Sequence, residues 1–82
     1  MIWHSELERA ELVRMLKSGE IKLGGNARLK IYGTLSCKSG KRMLQKNRVF
    51  FESEEEAKEY GYRPCGHCMR EAYLVWKSTV PI

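Results

Sequence analysis

Acidic residues are missing from the middle of this chain. Between residues 21 and 51 there is no Asp or Glu, while Lys22, Arg28, Lys30, Lys38, Lys41, Arg42, Lys46 and Arg48 are all basic. Long apolar runs are missing too: none approaches the roughly 18 to 20 residues of a membrane span. The opening residues Met1-Ile2-Trp3-His4-Ser5-Glu6 lack the basic and apolar regions of a secretory signal. A soluble, cytoplasmic protein with no membrane partner is therefore expected. Cysteine is scarce and odd in number. Three thiols, Cys37, Cys65 and Cys68, cannot close a disulfide framework, which points to a reducing compartment. There is no internal repeat and no low-complexity tract.

What remains is small and basic, 82 residues with a formal net charge of +5. A chain of this size makes one domain, 1–82, and buries only about 60% of its unfolded surface, so a metal staple would add what the core lacks. The charge is laid out in blocks. The basic middle is followed by Glu52, Glu54, Glu55, Glu56 and Glu59, which separates a candidate anion or nucleic-acid surface from an acidic helix. A solvated lysine-rich face is the plain alternative.

Local patterns predict the elements. Ser5 and Glu8 stand at capping-box spacing, and Leu7, Ala10, Val13 and Leu16 recur at helical spacing, which predicts a first helix over 6–17. Ile21-Lys22-Leu23 and Arg28-Leu29-Lys30-Ile31-Tyr32 alternate on either side of Gly24-Gly25-Asn26, a turn signal. They predict a hairpin with Leu29 and Ile31 inward and the cations outward. An irregular basic loop carrying Cys37 leads to Val49-Phe50-Phe51, a strand by β-propensity. Ser53 with Glu56 caps a second helix over 54–60, which Gly61 ends. Met69, Ala72, Tyr73 and Trp76 form one apolar stripe on a third helix over 69–77, followed by a frayed tail. Trp3 reads as a hydrophobic lid. The fold class is α+β, a short mainly antiparallel sheet with three helices.

The chemistry lies in Arg63-Pro64-Cys65-Gly66-His67-Cys68. A Cys-x-x-Cys knuckle with a distant third cysteine fits a zinc site, because a tetrahedral ion draws its ligands from separate segments. Lys38 and Lys41 beside Cys37 favour the thiolate and offset the charge of the thiolate set. Three cysteines leave one place, for which His67, His4, a water and an outside ligand are the candidates. The same letters spell the active site of a thiol-disulfide oxidoreductase, with Cys65 as nucleophile. Against that reading, few residues follow Cys68, and Pro81 is the sole proline after Pro64. Ser39-Gly40-Lys41-Arg42 is a poor phosphate loop, since Arg42 stands where a Ser or Thr would hold magnesium, so no nucleotide cofactor is expected.

Tyr32, Cys37, the run 47–51 (Asn-Arg-Val-Phe-Phe), Ser53-Glu54-Glu55-Glu56-Ala57 and Gly61-Tyr62-Arg63-Pro64-Cys65-Gly66-His67-Cys68 together resemble the zinc-binding domain of the Ada-type DNA methylphosphotriester repair protein. The resemblance centres on residues 29–70. It implies Zn2+ held by a Cys-x-x-x-Cys pair in the basic loop and by the knuckle, with the first cysteine of the pair accepting a methyl group from DNA. The chain departs at that pair. Aligned with least insertion, Cys37 takes the second place and the first falls on Gly33; with Cys37 in the first place, Lys41 stands in the second. No catalytic residue is assigned on this basis. The ligand set expected is Cys37, Cys65 and Cys68 with His67 as the candidate fourth. DNA is the expected partner through Lys38, Lys41, Arg42, Lys46 and Arg48, in a role related to alkylation repair or transcription regulation. Methyl acceptance by Cys37 and thiol-disulfide exchange are the alternatives, and a partner surface at Tyr73 and Trp76 is a further one.

Overall fold

A computed structural model describes residues 1–36 and 43–79. Five short strands, β1 (Ile2–Trp3), β2 (Leu23–Asn26), β3 (Ile31–Thr34), β4 (Arg48–Phe51) and β5 (Arg63–Pro64), form one sheet in the order β1-β4-β2-β3-β5. All pairings are antiparallel except β3 with β5. Three helices, α1 (Arg9–Ser18), α2 (Glu54–Glu59) and α3 (Arg70–Thr79), complete the α+β fold among the described residues.

The pleat sorts β2, β3 and β4 into two faces. Gly25 lies opposite Tyr32 and Val49, and Gly24 lies opposite Gly33 and Phe50. Alternation places the first three residues on one face and the last three on the other. The first face carries the core: Tyr32, Val49 and Phe51 are buried with Ala57 of α2 and Tyr62, and Trp3, Leu23, Ala27 and Met69 pack against them. Phe51 and Tyr62 meet edge to face, their ring centroids 4.9 Å apart. Trp3 sits on the core as the lid the sequence suggested.

Three sequence expectations are corrected. Gly24-Gly25-Asn26 is strand, not turn; the reversal falls at 27–30, where Asn26 Oδ1 accepts the Arg28 and Leu29 N–H groups at 3.0 and 3.1 Å. Leu29 is consequently 60% exposed and Tyr32, one step out of the expected phase, is the buried residue. A one-residue slip exchanges the faces of a strand. The first helix begins at Arg9 rather than near Glu6, and no side chain caps it, because Ser5 belongs to a separate 3-10 turn, His4–Glu6.

The capping of α2 holds. Ser53 Oγ accepts from Glu56 N–H at 3.2 Å, while Glu56 Oε1 accepts from Glu52 N–H at 2.9 Å, satisfying two end donors. Gly61, at φ 84°, turns the chain from α2 into β5. The third helix starts at Arg70 and includes Ser78 and Thr79; the rest of the expected tail lies outside the described residues.

Candidate metal centre

Parallel pairing of β3 and β5 sets Ile31 beside Arg63 and Tyr32 beside Pro64, so Cys65 arrives next to Gly33. Cys65 N–H donates to the Tyr32 carbonyl at 2.8 Å, anchoring the start of the knuckle to the sheet. The chain then turns back through Gly66 and His67, and Met69 N–H closes the turn on the Cys65 carbonyl at 3.1 Å. That return carries Cys68 to the same stretch of β3. Thr34 N–H donates to Cys68 Sγ at 3.3 Å. Cys65 is buried and Cys68 half-buried, as befits ligands shielded from water.

Gly33 is the third wall. A Cβ there would stand 2.6 Å from Cys68 Sγ and 3.2 Å from Cys65 Cβ. Both knuckle cysteines thus press on a backbone without a side chain. The approach was invisible in the sequence, where a two-residue strand such as Arg63-Pro64 carries no period.

The other expected site residues fall partly outside the described residues. Cys37, Lys38, Lys41 and Arg42 lie outside the described residues, as does the Ser39-Gly40-Lys41-Arg42 string. His67 is exposed on the knuckle turn. His4 packs against the Phe50 ring, centroids 5.3 Å apart, and its pKa is lowered, first by burial and then by the charge of Arg48. Among the described residues, no three His, Cys, Asp or Glu side chains converge as a metal-binding group. Lys46 is exposed on the 3-10 turn Gln45–Asn47, and Arg48 is half-buried at the head of β4.

The sheet face opposite the core opens into a cavity of about 540 Å³, and Gly24, Gly33, Phe50, Cys65, His67 and Arg63 are among its walls. In the sequence Arg63 stands out only as part of the knuckle motif. Its guanidinium lies over Tyr73 and Trp76, 5.6 and 5.5 Å from the ring centroids, so α3 holds a cation at the cavity.

The family model for the metal binding domain of Ada matches residues 22–71, from the end of the α1–β2 connection through the knuckle into α3. The chain belongs to the Ada metal-binding domain family. Comparison with curated proteins and with solved structures gave no match. Zinc is the metal of the Ada domain, and the chain is a zinc-binding module related to alkylation repair. Two soft sulfurs on a backbone-anchored turn, one of them accepting an N–H bond of the kind that orients a metal-bound thiolate, fit that ion. Bound there, zinc would lock the knuckle against β3 and hold the Cys65 and Cys68 thiols deprotonated. No helix among the described residues is long and apolar enough to cross a membrane.

Proposed function

We propose that this Ada-like domain is a DNA-associating module in which Cys65 and Cys68, with Cys37, hold a structural zinc, and that it works in the reducing cytoplasm. The carrying observation is the acid-free stretch between residues 21 and 51, which runs through the sheet that forms the metal centre. Its exposed Lys46, together with Arg48, Lys38, Lys41 and Arg42, meets backbone phosphates, while the glutamates gather on α2. Contacts of this kind position a protein without reading sequence, and they owe their strength to counterion release.

Methyl acceptance is not part of this reading. In the alignment with least insertion the family's acceptor place falls on Gly33, which has no sulfur and no room for one beside Cys68 as the chain now packs. A thiol-disulfide activity is likewise unsupported, since Cys65, its nucleophile, is only 9% exposed.

Fluorescence anisotropy with a labelled DNA duplex tests the proposal. Binding should weaken linearly in log–log form as salt rises, with a slope of about −0.9 per phosphate contacted. Replacing Lys41, Arg42, Lys46 and Arg48 by Gln should flatten that slope. Binding that is absent at low salt, or indifferent to salt, rules the DNA reading out. Mass spectrometry after incubation with methylphosphotriester DNA should leave all three cysteines unmodified.

A further inference from the structure

We infer that Tyr73 is a positioning residue of the metal centre, its ring braced by Arg63 and Trp76 so that it holds the 65–68 turn in shape from outside. The inference rests on the zinc-binding reading above. A turn that delivers two sulfurs to one ion must fix both on the same side at a set spacing. The backbone does part of this, through Cys65 N–H on the Tyr32 carbonyl and Met69 N–H on the Cys65 carbonyl. Between those anchors stand Gly66 and His67, both exposed, and glycine has the most conformational freedom to lose.

Tyr73 covers that weak point. Its ring lies along Gly66, with Cδ2 3.6 Å and Cε2 3.7 Å from where a Cβ on the glycine would stand, which is ordinary van der Waals contact. The ring is itself held. It stacks on Trp76, one turn further along α3, with centroids 5.9 Å apart and planes 29° from parallel. The Arg63 guanidinium lies 5.6 and 5.5 Å from the two centroids. Arg63 precedes the knuckle and the two rings follow it, so their contact closes the turn into a loop. Tyr73 N–H donates to the Met69 carbonyl at 2.8 Å, and this bond, with that of Met69 N–H to Cys65, fixes where the ring falls. Core packing does not account for the arrangement. No residue of α3 is buried, and among the described residues the cluster around Tyr32, Val49 and Phe51 includes no side chain of α3. A turn braced in this way keeps its thiols in place before an ion arrives, so less order is imposed on binding.

Alkylation of the metal-free, fully reduced protein with iodoacetamide, read at each cysteine by mass spectrometry, provides the test. In the parent, Cys65, 9% exposed, should react far more slowly than in the urea-unfolded chain. Tyr73→Ala should bring it close to the unfolded rate by local opening of the turn, and Tyr73→Phe, which keeps the ring and its cation contact, should restore the parent rate. Arg63→Gln leaves α3 unaltered and should speed Cys65 in the same direction; it decides the matter if circular dichroism shows Tyr73→Ala to be unfolded. Leu74→Ala, at a 52% exposed position of the same helix, controls for helix stability and should leave the rate unchanged. Zinc affinity by chelator competition should fall about tenfold in Tyr73→Ala, as the fraction of competent turns falls, and return in Tyr73→Phe. Cys65 reactivity at the parent level in both Tyr73→Ala and Arg63→Gln overturns the inference, as does an equal rise in Leu74→Ala. Zinc affinity that holds at the parent value while Cys65 opens overturns it too. A parent that takes up no zinc overturns the zinc-binding reading instead, and the bracing of the turn is still read by the metal-free measurement alone.

Discussion

Cys68 Sγ lies where a side chain on Gly33 would begin, 2.6 Å from the position of its Cβ. The sulfur thereby comes within reach of Thr34 N–H, at 3.3 Å. Gly33→Ala should push Cys68 off the strand and break that contact. Losing an outer-shell hydrogen bond of this kind typically weakens metal binding by about 10- to 100-fold, which competition with a chromophoric chelator would measure. Unchanged affinity would mean that the knuckle binds zinc without leaning on β3.

The neighbouring glycines should behave oppositely to each other. A Cβ on Gly25 would stand 2.8 Å from Phe51 Cε2 and 3.1 Å from Val49 Cγ2, inside the core. Gly25→Ala should therefore cost about 1–3 kcal/mol by overpacking. On the cavity face, a Cβ on Gly24 meets nothing closer than Leu35 Cδ2 at 3.8 Å, so Gly24→Ala should change stability by less than about 1 kcal/mol. Urea unfolding of the two variants checks both the sizes and their order.

Tyr32 carries a pH dependence. Burial, then the charge of Glu54 and a hydrogen bond to it, push the phenol up to about 12. A folded-state value above the unfolded one near 10 means that the fold favours the protonated phenol. Its contribution is complete below about pH 10 and lost as pH rises from there to about 12. Tyr32 Oη donates to Glu54 Oε2 at 3.3 Å, so Tyr32→Phe should cost about 0.5–1.5 kcal/mol at neutral pH and remove this part of the alkaline loss. Chemical denaturation from pH 8 to 12 reads both effects.

Metal removal should destabilise the domain. A ligand that binds only the folded state stabilises it by mass action, so thermal unfolding of the parent should shift upward with zinc and downward with chelator. Cys65→Ser, which removes a buried donor, should abolish the shift, whereas His67→Ala should keep it. A zinc response that survives in Cys65→Ser would remove the knuckle from the site.

The sequence by itself determined what depends on neighbours in the chain. The Cys65 and Cys68 spacing, the Ser53 cap of α2, the stop at Gly61 and the stripe of α3 are local patterns, and the fold retains each. Three cysteines also cap the thiolate ligands at three, whatever the fold. Tertiary structure decided everything that joins distant segments. Gly24-Gly25 has the composition of a turn, yet it forms strand because the Phe51 ring needs the space that Gly25 leaves beside it. The phase of β3 follows from pairing with β2 and β5, which buries Tyr32 and exposes Leu29. Gly33 became a wall of the metal centre by the same pairing. Strand register arises from hydrogen bonds between segments far apart in the chain, and no local period encodes it.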